Sequence, residues 1–430
     1  MLQELKIKNF LSFKEETTFS FEATKDTTFE DYQVVNISEK VRLLRFAVVY
    51  GANASGKSNL LSSLDFLSNF WFEKVDSVDD KTNESPFLLD KLTQKENTEF
   101  ELKFFVNNIR YWYTLELNNN YVVSEKLYFY KTNQPSLLFD RNLHEGMSKL
   151  TFNNSIVKIS SAAIDEITLK CLNNMSFFAA RNQVNINIPE IDAAKEWMRS
   201  NILPSIEPRT GMFDFASKKM MDDKDLRAYL LDFVKNADFN ISDIIPKKIT
   251  QDIPPDLLDL FSSIHSDIPD QEKERLKTER TFTRIDTNFE HTVINERGEE
   301  KYTLNQDSQS RGTKRTFGLE AAIYQAIQQN ALLPIDELES SLHPELVEYI
   351  LQKFLSAPNN RAQLLITTHY DPLLNTVDDL IRKDSVWFTD KGKNGATDLY
   401  SLVEFKGLNR LSSLQKAYRN GIFEAMPSIK

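Results

Sequence analysis

The spacing of hydrophobic residues near the start of the chain changes from a strand pattern to a helix pattern. Residues 45–50 read RFAVVY, a short β-rich apolar run that ends at Gly51. From Asn59 to Phe70, apolar residues recur at the spacing of one helix face. We therefore predict a buried strand that leads through a glycine turn into a helix, with an earlier strand around residues 5–7.

A pattern with period two follows in residues 98–130. Apolar side chains alternate with polar ones up to the turn-forming pair Asn107-Asn108, and the alternation resumes beyond it. This is the pattern of a β-hairpin, so an antiparallel sheet is predicted here. A second hairpin is predicted over residues 281–304, with its turn at residues 296–298.

Between residues 162 and 277 the pattern is mostly helical and is interrupted by prolines. Leu226, Leu230 and Val234, for example, fall on one helix face. After Gly312, helices again alternate with short apolar strands. The chain is therefore predicted to be an α/β protein with an antiparallel β subdomain and a helical insertion. Its predicted divisions are residues 1–160, 161–280 and 281–430.

Length and composition narrow the class of protein. A chain of 430 residues is expected to hold two or three domains, or one domain with a large insertion. Its 41% hydrophobic and 27% charged residues are ordinary for a globular protein. The formal net charge of −11 argues against a surface covered with nucleic-acid-binding charge.

Cysteine content and the N-terminal residues indicate the compartment. The single cysteine, Cys171, cannot form an internal disulfide and suits a reducing environment. The first ten residues lack the apolar core of a signal peptide, and no apolar run approaches the roughly 18 residues needed to cross a bilayer. We therefore expect a cytoplasmic protein that has no membrane-spanning segment.

The glycine turn carries a motif whose residues have a physical purpose. Residues 51–58 read GANASGKS and match the pattern Gly-x-x-x-x-Gly-Lys-Ser between a strand and a helix. Backbone N–H groups of such a loop surround phosphates, and the helix N-terminus favours anions. Lys57 is predicted to neutralise the β and γ phosphates, and the Ser58 hydroxyl is predicted to bind Mg²⁺. The predicted nucleotide-binding residues of this loop are Gly51, Asn53, Ser55, Gly56, Lys57, Ser58 and Asn59.

A phosphate loop also fits a GTPase, a small-molecule kinase or a helicase, and the C-terminal third narrows the choice. Residues 332–337 read LLPIDE, an apolar segment that ends in two carboxylates. A second element on the magnesium side of a phosphate site needs such a pair. We predict that Asp336 holds the metal through water and that Glu337 polarises the attacking water.

Two further segments bear on phosphate chemistry. Residues 310–314 read SRGTK and open a predicted helix, so a serine and a glycine N–H stand at a helix start that can bind an anion. Thr367-Thr368-His369 follows a strand-like apolar run. The chain thus carries two predicted phosphate sites that are far apart in sequence.

Taken together, these motifs resemble the ATP-binding-cassette ATPases of the SMC, RecF and Old-nuclease group. The resemblance is strongest to compact, stand-alone AAA-family ATP-binding proteins of the Rlo type, and extends to the ATPase subunit of PARIS-like anti-phage systems. It covers nearly the whole chain. The segments that carry it are Asn9-Phe10, Ser12-Phe13, residues 51–59, Pro86-Phe87, residues 312–315, Asp336-Glu337, residues 341–344, residues 367–369 and the tail from Lys416 to Pro427.

This resemblance implies an ABC-type fold with a mixed central sheet, and roles for several residues. Residues 1–160 and 281–430 would be the two parts of the ATPase domain. Residues 310–314 would be the signature segment, residues 341–344 the D-loop, and His369 the residue that senses the γ-phosphate. Two ATP molecules would be buried between two subunits. The residues predicted to contact ATP from the second subunit are Ser310, Gly312, Thr313 and Lys314.

The resulting functional hypothesis is an ATP-dependent switch that forms a homodimer or a higher homo-oligomer. Its catalytic residues would be Lys57, Glu337 and His369, and its ligands ATP and Mg²⁺. The resemblance implies a sensor ATPase of a bacterial anti-phage system that controls a partner nuclease. One alternative is a RecF-like DNA-binding ATPase in repair. It would require basic residues to gather on one face, namely Lys247, Lys248, Lys273, Arg275, Lys277 and Arg280. A less favoured alternative is a nuclease in its own right, although no carboxylate cluster for a separate two-metal site follows His369.

Overall fold

The structure is a computed structural model that describes residues 1–237, 239–252, 278, 281–358 and 360–426. The strands of the described part are β1 (Leu2–Lys8), β2 (Thr17–Ser20), β3 (Val34–Ser38), β4 (Val41–Leu44), β5 (Phe46–Gly51), β6 (Thr98–Val106), β7 (Ile109–Leu117), β8 (Val122–Tyr130), β9 (Ser136–His144), β10 (Met147–Phe152), β11 (Asp243–Asp252), β12 (Thr281–Asn295), β13 (Gly298–Asn305), β14 (Leu332–Ile335), β15 (Gln363–Thr368), β16 (Val386–Lys391) and β17 (Thr397–Ser401). The helices are α1 (Glu30–Gln33), α2 (Lys57–Phe70), α3 (Ser161–Lys170), α4 (Phe177–Arg181), α5 (Pro189–Asn201), α6 (Phe213–Asp222), α7 (Lys224–Asn236), α8 (Arg311–Gln329), α9 (Pro344–Ser356) and α10 (Leu414–Arg419).

The chain divides into two compact units. The first unit comprises Met1–Arg209, Gln325–Ser340 and Val347–Lys430, and the second comprises Thr210–Tyr324 and Ser341–Leu346. The division at residues 160 and 280 stays a prediction.

The first unit contains a five-stranded sheet in the order β14-β15-β5-β16-β17. Its first four strands are parallel and β17 is antiparallel, so the sheet is mixed, as predicted. Every residue of β5 and β15 is buried. This agrees with the continuous apolar sequence of β5 and the apolar centre of β15 at residues 364–366, because strands inside a parallel sheet are covered on both faces.

A seven-stranded antiparallel sheet also lies in the first unit, in the order β10-β9-β8-β7-β6-β1-β2. It confirms the sheet predicted for residues 98–130, and its β6–β7 turn is at Asn107 and Asn108, which both have a positive φ. One hydrophobic core joins it to the five-stranded sheet. The core includes Leu5 and Tyr113 from the seven-stranded sheet and Val49 from the five-stranded sheet.

Pro334 lies inside β14, where it removes a hydrogen-bond donor from the ladder. The strand is the last one of its sheet, which is the position that tolerates proline. The segment 202–206 covers its outer side: Ile206 N donates to the carbonyl of Pro334 at 3.0 Å, and Asp336 N donates to the carbonyl of Ile206 at 2.9 Å. The end of this strand is therefore held on both sides.

The second unit contains α6, α7 and a three-stranded antiparallel sheet in the order β11-β12-β13. Phe213, Phe289 and Phe317 pack together in its core, with ring centroids 5.3 to 6.1 Å apart. The hairpin predicted over residues 281–304 is confirmed, and its turn lies between Asn295 and Gly298.

The helical prediction for residues 162–277 is correct for α3 to α7 and wrong for β11, and its part from residue 253 to 277 lies outside the described residues. That strand pairs with β12 from Asp243↔Glu290 to Asp252↔Thr281. Ile244 is the one fully buried residue of this strand, and the sequence of the strand shows no strong apolar alternation that would mark it. Its pairing depends on β12, a strand that lies farther along the chain. Lys247 and Lys248 lie on this strand, whereas Lys273, Arg275, Lys277 and Arg280 lie outside the described residues.

Candidate functional site

The loop between β5 and α2 has the tight backbone that its glycines allow. Gly56 has a φ of 110°, a value that L side chains rarely adopt. A β carbon on Gly56 would lie 2.2 Å from Thr397 Oγ1, and one on Gly51 would lie 2.3 Å from Thr389 Oγ1. Both positions are therefore closed to larger residues.

Hydroxyl groups brace this loop from the side of β16 and β17. Ser55 Oγ lies 2.6 Å from Thr389 Oγ1, and Thr397 Oγ1 lies 2.7 Å from the carbonyl oxygen of Ser55. Ser12 Oγ lies 2.7 Å from Thr397 Oγ1 and accepts a hydrogen bond from Asn59 Nδ2. Sequence reasoning missed both threonines, because no local motif marks them. Asn53, by contrast, is exposed at the tip of the loop.

Lys57, the first residue of α2, is buried and folds back over the loop. Its Nζ donates to the carbonyl oxygens of Gly51 at 2.9 Å and Ala52 at 3.1 Å, and it lies 3.1 Å from His369 Nε2. Burial lowers the pKa of Lys57, although neighbouring carboxylates such as Asp336 oppose this effect. The Lys57 amine is thus held by two carbonyl oxygens of the loop, and phosphate oxygens can take the place of these acceptors.

The first of the two carboxylates predicted from sequence meets the start of α2. Ser58 Oγ donates to Asp336 Oδ2 at 2.8 Å. The other oxygen of Asp336 accepts a hydrogen bond from Thr367 Oγ1 on β15, the strand that lies between β14 and β5. The structure therefore brings Ser58 and Asp336 together, and it adds Thr367 as a support.

Glu337 stands at a sharp turn, with a φ of 46°. Its backbone N–H donates to Thr367 Oγ1 at 2.9 Å, so one threonine hydroxyl contacts both residues of the Asp-Glu pair. Its carboxylate oxygen Oε1 lies 3.7 Å from His369 Nε2, and both side chains are partly exposed. An accessible carboxylate in this position can accept a proton from water.

His369 follows β15 directly. Burial and, next, the positive charge of Lys57 lower its pKa, against the opposing effect of Glu339, Glu337 and Asp336. A histidine whose pKa falls below its usual value is neutral at pH 7. Its Nε2 can therefore accept a hydrogen bond from Lys57.

A third carboxylate, Glu339, was missed by the sequence analysis. Its Oε1 accepts a hydrogen bond from the backbone N–H of His369 at 2.5 Å, and its Oε2 accepts one from Thr368 Oγ1 at 2.7 Å. The available signal was the spacing Asp-Glu-Leu-Glu, which places this carboxylate two residues after Glu337.

The predicted signature segment, residues 310–314, belongs to the second unit and opens α8. Ser310 Oγ accepts a hydrogen bond from Thr313 N at 3.0 Å, which is the geometry of a helix N-cap. A β carbon on Gly312 would lie 2.9 Å from the carbonyl oxygen of Ser341, so this glycine packs directly on the D-loop within the same unit. Lys314 N donates to the carbonyl of Ser310 at 3.1 Å.

The chemistry of these groups fits a magnesium-bound triphosphate. The oxygens of Ser58 and Asp336 suit Mg²⁺, which is bound through few protein ligands and keeps several waters. In the described ranges as a whole, no group of three or more His, Cys, Asp or Glu residues is arranged to hold a metal ion. The part of the chain that the structure describes also contains no helix long and apolar enough to cross a membrane.

The phosphate loop joins the buried strand β5 to a helix, and the Asp336-Glu337 pair directly follows β14, which is separated from β5 by β15. These features define a P-loop nucleotide-binding protein of the α/β class. The chain belongs to the family described as "AAA domain, putative AbiEii toxin, Type IV TA system", which matches residues 46–154 and 196–375, well over half of its length. The P-loop ATPase part of the resemblance is thereby supported. Its Rlo-type and PARIS-like parts stay predictions.

Three solved structures of SMC heads show a weak similarity to the chain. No curated protein sequence matches the chain. The SMC head domain from Thermotoga maritima is 13% identical, with a TM-score of 0.40, and covers 93% of this chain and 98% of its own. An SMC head bound to the C-terminal winged-helix domain of ScpA is 13% identical, with a TM-score of 0.42 and coverages of 97% and 99%. A third SMC head, bound to the C-terminal domain of ScpA derived from Pyrococcus furiosus, is 12% identical, with a TM-score of 0.36 and coverages of 98% and 98%. TM-scores this low do not establish a shared fold.

Proposed function

We propose that this protein is an ATP-binding and ATP-hydrolysing switch that forms a homodimer around ATP. The observation that carries the proposal is the convergence of Lys57, Asp336 and His369 on one phosphate loop, although they come from three separate parts of the chain. Membership of an AAA-domain family supports a nucleoside triphosphate as the ligand.

Within one protomer, each group has a proposed role. Lys57 exchanges its loop carbonyls for oxygens of the β and γ phosphates. Ser58 and Asp336 hold Mg²⁺, which neutralises phosphate charge when it is bound. Glu337 accepts a proton from the attacking water, and His369 contacts the γ-phosphate. The imidazole of His369 can make this contact by donating a ring N–H to a phosphate oxygen.

The second half of the site is proposed to come from the partner subunit. Ser310, Gly312, Thr313 and Lys314 stand at the start of a 19-residue helix, where backbone N–H groups and the helix dipole favour an anion. They would bind the γ-phosphate held by the first subunit. ATP would then hold two copies together, and hydrolysis would release them.

The proposed biological role is that of a sensor ATPase that controls a partner effector nuclease in bacterial anti-phage defence. The support is the family description, which names a putative toxin of a type IV toxin–antitoxin system. In such a role the nucleotide state would decide whether the effector is held or released. Stable copurification with the product of a neighbouring gene, lost when Lys57 is replaced by Ala, would test this role.

Replacing Glu337 by Gln tests the hydrolytic part of the proposal. Loss of the proton acceptor should lower ATP turnover by about 10²- to 10⁴-fold, while ATP binding is retained. Glu39→Gln is the matched control, because Glu39 is exposed in the turn between β3 and β4. Turnover by Glu337→Gln at the wild-type rate would contradict the assigned role.

A further inference from the structure

We propose that Glu339 is a positioning residue for His369, an inference that rests on the proposed ATPase function. In the described part of the structure, the Glu339 side chain makes no hydrogen bond to Lys57 or to the phosphate loop. Its two carboxylate oxygens instead each accept one hydrogen bond at the end of β15, one from the backbone N–H of His369 and one from the hydroxyl of Thr368.

These contacts fix the backbone on both sides of His369. Thr368 Oγ1 donates to Glu339 and also accepts a hydrogen bond from Tyr370 N at 2.9 Å. Hydrogen bonds from N–H and O–H groups to a carboxylate are about twice as strong as those between neutral groups. Glu339 thereby holds Thr368 and His369 directly, and Tyr370 is held through the Thr368 hydroxyl, at the point where β15 ends.

The anchor determines where the imidazole can lie. About a third of the His369 side chain is exposed, so packing alone constrains it weakly. Its Nε2 nevertheless lies 3.1 Å from Lys57 Nζ and 3.7 Å from Glu337 Oε1. Because the ring is attached to a backbone that Glu339 holds, removal of the carboxylate should let the ring leave both neighbours without altering either of them.

The start of the acidic turn is held by the same strand. Leu338 N donates to the carbonyl of Thr367 at 3.2 Å, and Glu337 N donates to Thr367 Oγ1. The turn that carries Glu337 is therefore joined to Thr367 and Thr368 of β15 and to His369, which directly follows the strand. Glu339 supplies the contact nearest to the histidine, which distinguishes it from a general brace of the fold.

A double-mutant cycle on ATP turnover tests the inference. Glu339→Ala is expected to lower kcat by about 10- to 100-fold, as loss of an outer partner of a functional histidine does. In a His369→Ala background, the same substitution should change kcat by less than about twofold, because a residue that acts through His369 has nothing left to position. Losses that multiply independently would overturn the proposal, as would a wild-type kcat in Glu339→Ala.

The conservative variant Glu339→Gln provides a second test that does not depend on the folding of Glu339→Ala. Its amide oxygen can accept from His369 N–H, and its amide nitrogen can donate to Thr368 Oγ1. It should therefore recover kcat to within about tenfold of the wild type, since only the charge of the acceptor is lost. A kcat for Glu339→Gln as low as that of His369→Ala would contradict the proposed geometry.

A readout that is independent of ATP hydrolysis separates this inference from the proposed function. The chain has five histidines, so ¹⁵N-histidine labelling yields five backbone amide signals, and His369→Ala identifies the relevant one. The His369 amide should resonate downfield in the wild type and move upfield in Glu339→Gln, while Glu39→Gln leaves it in place. An unmoved signal would refute the positioning role. A chain that hydrolyses no ATP, yet shows the shift, would refute only the proposed function.

Discussion

Single residues in this site act mainly by holding one another in place. Thr367, for example, contacts both Asp336 and the backbone of Glu337 through one hydroxyl group. Thr389 and Thr397 similarly contact the phosphate loop from behind. Threonine hydroxyl groups thus hold both the acidic pair and the phosphate loop in position.

Glu84 shows the effect of burial on a carboxylate outside the site. It lies in the first unit, nearly inaccessible, and burial raises its pKa from 4.5 to about 7. Between pH 4.5 and about 7, the Glu84 carboxyl is protonated in the native state and ionised in the unfolded state. The native state therefore binds more protons, and the free energy of unfolding should fall as the pH rises from about 4.5 to 7.

Replacing Glu84 by Gln should remove this dependence. The neutral amide has nearly the same shape, so the free energy of unfolding at pH 8 should rise by on the order of 1–3 kcal/mol and lose its downward slope below pH 7. Denaturant unfolding at several pH values measures both effects. Glu39→Gln, an exposed control, should keep the slope of the wild type. A slope that persists unchanged in Glu84→Gln would contradict this account of the buried carboxylate.

The predictability of each residue from sequence follows from the distance between partners in the chain. Lys57 and Ser58 lie inside one local motif, and Asp336 and Glu337 form another, so the sequence alone marks both pairs as candidates. Glu339 interacts with residues 29 and 30 positions away, and Thr397 interacts with a loop more than 300 positions away. Only the folded chain shows those partnerships.

At the scale of secondary structure, α8 combines a structural cap with a proposed phosphate contact at Ser310. Its hydroxyl accepts a hydrogen bond from Thr313 N and so satisfies one of the free N–H groups of the first turn. The helix is 19 residues long, which aligns many peptide dipoles toward this end. One residue thus has a structural role and a proposed functional one.

Ser310→Asp separates the two roles. Aspartate caps helices as well as serine does, so stability should change by less than about 0.5 kcal/mol. Its negative charge would face the γ-phosphate, however, so ATP-dependent dimerisation should be lost. Ser160→Asp, at the similarly capped start of α3, is the matched control. Sedimentation with ATP and thermal unfolding measure the two effects. Full dimerisation of Ser310→Asp would contradict the proposed contact in trans.

Elements were predictable where their own sequence carries the pattern. The strand β5, the helix α2 and the β12–β13 hairpin have local signals, and all three are confirmed. The strand β11 lacks one, because its residues are mostly exposed and it depends on pairing with β12. Its assignment as part of a helical segment failed for that physical reason.

At the scale of the whole molecule, the groups proposed to bind one ATP belong to two different units of the chain. The phosphate loop, Asp336, Glu337 and His369 lie in the first unit, and the signature segment lies in the second. The central claim is that two copies each contribute one of these halves. The claim therefore concerns assembly, and a measurement of mass addresses it.

Light scattering of Glu337→Gln with and without Mg²⁺-ATP measures this assembly directly. Since the variant should bind ATP without hydrolysing it, its mass should rise from the 49.8 kDa of one chain to twice that value when ATP is added. Lys57→Ala, which removes the ammonium from the phosphate loop, should remain at the lower mass. A Glu337→Gln protein that demonstrably binds ATP and still keeps the mass of one chain would contradict the account.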